Sequence, residues 1–272
     1  MSLLIEIKPQ ARGILPHLKE IWLYRELVYF FVWRDVKVRY RQTLLGVGWV
    51  LIQPALITFI FTIILSRYAQ SFIQNIPYWL FAFSGFVVWT FVATAINNAA
   101  NCFVNHKEMV TRVYFPRLMM PFAAVIVNLI DLKINLIVLL IAVGFTIGGF
   151  SWKILLLPFF VFLIFLITLS LGILFSAFNV RYRDVKHGLP FVLQMMMFAT
   201  PVFYSVEFLP EKWRFIWKLN PLVGAFEGLR SSVFDSEFDL IGILISVFMA
   251  FFLFSLALYV FSIMEENFAD II

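Results

Sequence analysis

Asn128, Asp131 and Asn135 stand at i, i+3 and i+7 inside a long apolar run, so a helix would carry them as one polar stripe on a single face. A carboxylate in such a run is costly unless it meets water or a partner, so the stripe marks either a pathway or a helix contact. Lys133 lies two residues on, roughly across the helix, and cannot pair with Asp131 locally. Other chemistry is conspicuous by its lack of residues. There is no G-x-x-x-x-G-K-[ST] phosphate loop, so the chain does not bind ATP in that manner. No Asp-x-Asp pair or second carboxylate in the apolar runs suggests a metal-dependent transferase or a proton relay. The histidines are His17, His106 and His187, all outside the apolar runs, and the single cysteine, Cys102, reads as a small packing residue.

Three polar segments could carry mechanism. In residues 18–42, Tyr29, Trp33, Val36 and Tyr40 fall on one helical stripe and Arg34, Lys37 and Arg41 on its neighbour. Such a helix can lie in the headgroup layer with its cations against anionic lipid or an acidic partner, or serve only as a basic topology anchor. Residues 97–118 repeat Asn97, Asn101 and Asn105 every four positions, then place His106, Lys107 and Glu108 at a charged tip ahead of Val110, Val113, Tyr114 and Phe115. This predicts a helix extending out of the membrane into a short amphipathic segment, either docking on another protein or simply a surface element. Residues 206–239 mix Phe208, Trp213, Phe215 and Trp217 with Glu207, Lys212, Arg214 and Lys218, which suggests short amphipathic helices dipping into the outer interface. Aromatic faces there could also stack on sugars.

The elements that position these residues follow from composition. Of 272 residues, 62% are hydrophobic and 14% charged, too apolar for a chain whose surface must face water. Windows apolar on all sides predict an all-α membrane protein with six spans at 44–65, 78–97, 117–143, 154–178, 188–205 and 240–263. The fifth is short, with Pro190 near its start and Thr200 and Pro201 near its end, the signature of a broken or kinked helix. Lys8, Arg12, Lys19, Arg25, Arg34, Lys37, Arg39 and Arg41 precede the first span, which puts the N-terminus inside, and an even span count returns the C-terminus there. The inside loops are then 98–116 and 179–187, and the outside loops hold Arg67, Lys153, Lys212, Arg214, Lys218 and Arg230. No cleavable signal peptide is expected in the charged first 43 residues.

The blocks VWRDVKVRYRQTLLGVGWVLIQP (32–54), KEMVTRVYFPRLMMP (107–121), FNVRYRDVKHGLPFVLQMMMFATPVFYS (178–205) and LP with LNPL (209–222) follow one another in an order and spacing that resembles the permease subunits of ABC transporters exporting lipid-linked O-antigen, capsular polysaccharide or teichoic acid. The resemblance spans nearly the whole chain, and the W-R-D, R-Y, L-G, W and P positions of the first block are its most specific part. It implies a homodimer in the bacterial cytoplasmic (inner) membrane, above two separate ATP-hydrolysing subunits that hold ATP and magnesium. This chain itself would need no cofactor and no nucleic-acid partner. It implies residues 1–43 as a cytoplasmic interface segment, with Trp33, Arg34, Asp35, Lys37, Arg39, Tyr40 and Arg41 on the interface helix, and 44–272 as the permease domain. Within that domain it implies a coupling loop at 98–116 and re-entrant helices in 206–239. Asn105, His106, Lys107, Glu108 and Thr111, with Arg181, Arg183 and Asp184, would face the ATPase, while Asn128, Asp131, Asn135, Phe208, Trp213 and Trp217 are candidates for the translocation path or helix contacts.

A dimer makes physical sense for such cargo. Sugar hydroxyls are costly in hydrocarbon without hydrogen-bond partners, and six helices are hardly enough to enclose a polar channel. The alternatives are an ABC permease for a small hydrophobic compound, a membrane-embedded transferase and a passive channel. Copurifying glycolipid, or turnover by the single chain, would separate them.

Overall fold

A computed structural model describes residues 22–41, 46–69, 76–112, 115–182, 184–265 and 268. Its long elements are helices, and no strand occurs among the described residues. In chain order they are α1 (Arg25–Tyr40), α2 (Gly48–Ala69), α3 (Tyr78–Asn105), α4 (Lys107–Arg112), α5 (Met119–Ile147), α6 (Leu157–Arg181), α7 (Val185–Phe198), α8 (Glu211–Lys218), α9 (Pro221–Phe234) and α10 (Leu240–Glu265). Short 3-10 turns at Trp152–Leu156 and Val206–Phe208 lead into α6 and α8. Five helices, α2, α3, α5, α6 with its preceding turn, and α10, are long and apolar enough to cross a membrane. The chemistry of their ends is local. Pro158 sits in the first turn of α6, the Asn220 side chain accepts from the Leu222 N–H at the start of α9, and α5 closes on Gly148 in the left-handed region.

α3 is the hub. It packs against α2, α5, α6, α7 and α9, and 78% of its most apolar window is buried, against 11% for α2. Phe86, Ile96 and Phe103 mark its buried length, and Leu56, Phe59, Ile60, Ile63 and Ile64 leave α2 open to lipid or to another chain. α3 runs to Asn105, eight residues past the predicted end of the second span, as the Asn97, Asn101, Asn105 spacing anticipates. Cys102 is buried with a free thiol.

Between α6 and α10 the chain travels the length of the bundle. At one end Asn179 donates to the Ala100 carbonyl, and at the other Lys153 pairs with Asp235. α7 makes most of that journey but is 14 residues long, or about 21 Å, short of a ~30 Å hydrocarbon core. It begins three residues before the predicted fifth span and stops seven before its end, because Thr200 and Pro201 follow and the backbone runs on irregularly to Ser205.

α9 and α10 meet backbone to backbone where Gly224 faces Gly242, and a Cβ on Gly224 would be driven into the Gly242 carbonyl. A backbone neighbour cannot swing aside. Gly224→Ala is therefore expected to destabilise by about 1–3 kcal/mol, read as a lower unfolding temperature of the detergent-purified protein; an unchanged transition would mean the two helices separate freely.

Candidate coupling and translocation site

The N-terminal helix α1 is held to the bundle by Val28 and Phe31, with Phe31 edge-on to Phe115 at 5.7 Å. Tyr29 and Trp33 point away and are exposed, with Lys37 4.5 Å above the Trp33 ring. The aromatic stripe expected along α1 is thus split. Tyr29 and Trp33 are free for lipid, whereas Tyr40 turns inward.

Two sets of polar contacts fasten α1 to the rest of the molecule. Just past the middle of the helix, Arg34 donates to Asp35 at 2.8 Å, to His106 Nε2 at 3.2 Å and to the Met109 sulfur at 3.7 Å. His106 Nδ1 lies 3.0 Å from the Cys102 carbonyl. A carbonyl only accepts, so Nδ1 carries the proton and Nε2 is the acceptor for Arg34. At the helix end, Arg39 donates to Asp131 at 2.6 Å and to Asn128 at 3.1 Å, and the Tyr40 hydroxyl donates to the other Asp131 oxygen. Asn98 of α3 adds a bond to Asn128 at 3.3 Å. Two members of the α5 polar stripe, Asn128 and Asp131, thus touch other helices, and the cation beside the carboxylate is Arg39, distant in sequence, whereas Asn135 donates only back to the Asp131 carbonyl. Lys133 is exposed on the far side of α5. Arg41 ends α1, its N–H bonded to the Lys37 carbonyl.

The charged tip stands where the sequence puts it. Asn105, Lys107 and Glu108 are exposed and His106 half-buried. Thr111 belongs to α4, though its side chain lies outside the described residues, as do Arg183 and residues 1–21. Arg181, over the Tyr182 ring, and Asp184, immediately before α7, sit at the same end of the bundle, because Asn179 also bonds Asn101. Among the described residues no hydrogen bond links Arg181 or Asp184 to the tip. α10 finishes at this end too, where Arg117 donates to the Glu265 carbonyl at 2.6 Å.

The aromatics of residues 206–217 form a separate group. Phe208 and Trp213 are exposed, and Trp217 donates to Tyr204 at 2.8 Å. Arg214 ties down the Glu207 and Leu209 carbonyls, Lys218 pairs with Asp239 at 2.6 Å, and hydrogen bonds from Lys153 and Ser151 hold the Asp235 carboxyl below its usual range. Glu207, Arg214, Lys218 and Asp239, with Glu227 and Arg230, line a cleft of about 500 Å³ at the opposite end from the tip, and Phe208, Trp213 and Trp217 are not on its walls. The structure does not bring Phe208, Trp213 and Trp217 together with Asn128, Asp131 and Asn135.

Arg230, counted from the sequence as a charge of an outside loop, instead lies buried within α9. It is 6% exposed, lies 3.8 Å from the Phe81 ring, and donates to the carbonyls of Pro201 and Val202 and to Ser84. Gly85 makes room for this: a Cβ there would strike the Val202 carbonyl and the guanidinium. The signal in the sequence was Gly224, Ala225, Gly228, Ser231 and Ser232 around Arg230, a run of small residues that packs closely on every side.

Other proteins match this sequence over most of its length. The chain is 27% identical over 220 residues to the O-antigen export system permease protein RfbA of Myxococcus xanthus, covering 80% of this chain and 84% of that one. Identity to the Klebsiella pneumoniae protein of the same name is 25% over 242 residues, covering 88% and 92%. The model of the family described as ABC-2 type transporter matches residues 26–234. The chain belongs to the ABC-2 type transporter family. The match runs from α1 to the end of α9, so it takes in α1, the charged tip and the buried Arg230. An ABC-2 type chain is a membrane subunit of a transporter, and its family implies an ATPase partner. With five apolar helices this one is a multi-pass membrane protein.

Proposed function

We propose that this chain is the membrane subunit of an ATP-driven exporter that moves lipid-linked polysaccharide of the O-antigen, capsule or teichoic-acid type across the bacterial inner membrane. It is itself no enzyme; ATP and magnesium are held by separate nucleotide-binding subunits, and two copies form the channel. Residues 1–43 form the cytoplasmic interface segment and 44–272 the permease domain, with both termini cytoplasmic. α7 together with residues 199–205 makes the sixth crossing, and α8 and α9 re-enter the outer face before α10. Irregular backbone at membrane depth is tolerable only where its polar groups are satisfied, which is the service Arg230 performs.

The observation that carries the reading is α1 itself. One helix touches the exposed tip through Arg34 and His106 and, five residues later, an intramembrane carboxylate through Arg39 and Asp131. A push on the tip by the ATPase thereby reaches α5 near mid-membrane. Names of relatives supply the cargo class.

The test is affinity purification of the tagged chain from its native membrane, with ATPase assay and glycolipid analysis of the eluate. A stoichiometric ATPase with bound glycolipid is the expected result; a lone chain without ATPase activity would overturn the reading. In that purified complex, a combined His106→Ala and Lys107→Ala variant is expected to keep ATP hydrolysis within about twofold and lose at least tenfold in export per ATP. Unchanged coupling would remove the tip from the mechanism.

A further inference from the structure

A pocket of about 330 Å³ lies between the start of α2 and the faces of α3 and α5, within the ~300–1,000 Å³ range of small-ligand sites. Its walls are unusual for hydrocarbon depth. α2 contributes Trp49 and Gln53, α3 contributes Thr90, Thr94, Asn97 and Asn98, and α5 contributes Asn128 and Asn135. A bundle that only had to pack would fill this space with Leu and Val, since each polar group without a partner costs free energy in lipid.

The hydrogen bonds on these walls are incomplete. Asn135 is 3% exposed and its Nδ2 donates back to the Asp131 carbonyl, yet its Oδ1 is buried with no partner. The side chains of Gln53 and Thr90 make no hydrogen bond among the described residues, the Thr90 carbonyl accepting from Thr94. Asn98 spends a donor on Asn128, which leaves its carbonyl oxygen. Amides offer donors and acceptors side by side, the pairing that sugar hydroxyls need, and an exposed indole at the mouth offers a flat apolar face to a ring. Arg39, the cation on the wall, is already neutralised by Asp131, which disfavours a phosphate there and favours a neutral, hydroxyl-rich occupant.

We propose that this pocket is a sugar-binding site, in which a ring of the exported glycan lies against Trp49 while Gln53, Asn98 and Asn135 exchange hydrogen bonds with its hydroxyls. The inference rests on the export reading above and adds a site within a single protomer. Because Arg39 and Asp131 form one wall, any shift of α1 relative to α5 reshapes the site, so the ATPase stroke would bind and release the ring through the same contact that transmits it.

The test uses the whole complex, chain and ATPase partner, in lipid nanodiscs, with Val50→p-benzoylphenylalanine as a photoreactive reporter on the pocket wall and Phe59→p-benzoylphenylalanine as an exposed control on α2. The ligand is a tritiated polyprenyl-diphosphate-linked disaccharide labelled in its sugar. Irradiation is expected to label position 50 at least fivefold more than position 59. The label should fall at least fivefold in Asn135→Leu and in the milder Asn97→Ala, and survive competition by sugar-free polyprenyl diphosphate. Equal labelling at the two positions, or labelling indifferent to both variants, would overturn the site, and loss of label to the sugar-free lipid would reassign it to the lipid phosphate. If the disaccharide lipid binds the complex but leaves position 50 unlabelled, the pocket alone fails; if it does not bind the complex at all, the export reading fails with it.

Discussion

Arg230→Met is expected to leave little folded protein in the membrane. The side chain holds two carbonyls of the irregular stretch after α7 and the Ser84 hydroxyl, all inside the bundle. Methionine fills similar space and donates nothing, so each abandoned acceptor costs roughly 1–3 kcal/mol, a sum comparable to the ~5–15 kcal/mol stability of a typical domain. Gly85→Ala should do similar damage by pushing the Val202 carbonyl off its partner. The measurement is the monodisperse fraction after detergent extraction, followed by thermal unfolding. A monodisperse Arg230→Met protein melting within a degree or two of the parent would mean that α9 packs without its arginine and that the chain after α7 needs no anchor.

Cutting the other polar contact should spare the fold and harm transport. Asp131→Leu leaves Arg39 only the Asn128 amide and takes one acceptor from Tyr40, while Arg39→Leu leaves the Asp131 carboxylate without its cation and with the Tyr40 hydroxyl alone. Both side chains are partly exposed, so each single change is expected to cost about 1–3 kcal/mol, less than for a fully buried pair. The double variant, which removes both charges, should recover part of that loss in thermal unfolding. Export should not recover. With α1 no longer fastened to α5, ATP hydrolysis is expected to continue while export per ATP falls at least tenfold in all three variants. A double variant that exports normally would show that the stroke reaches the bundle by another route.

What could be read from the sequence follows from where the information sits. The long helices were legible because lipid-facing spans are apolar all round over twenty or more residues, and the extension of α3 showed in three asparagines at intervals of four. The break after α7 was legible in Thr200 and Pro201, although the predicted span overran the helix by seven residues. The site was legible in its parts rather than in its pairings. Asp131 stood out as an expensive carboxylate, but nothing local announces a partner ninety-two residues upstream; proximity across a bundle is a property of packing, not of spacing. Arg230 was misplaced for a related reason. A charge near Lys218 and Glu227 looks like one more surface residue, and only the small residues around it disclose how closely its neighbours approach. Residues 1–21, Arg183 and the Thr111 side chain lie outside the described residues, so their expected roles stay expectations.

The centrality of α3 also bears on how the protein is made. Its most apolar window has the lowest hydropathy of the five long helices, 1.8 against 2.9 for the helix formed by α6 and its preceding turn. That is what a helix surrounded by protein rather than lipid can tolerate, and it carries Asn97, Asn98 and Asn101 besides. Yet α3 leaves the ribosome well before α6, the helix against which much of it is buried. During synthesis the weakest inserter must therefore wait in the bilayer, or beside the insertion machinery, until a stronger one arrives to cover it. Truncation between α5 and α6 should consequently yield chains that insertion-quality proteases remove, and the interval between α3 and α6 becomes the vulnerable stretch of the protein's biogenesis.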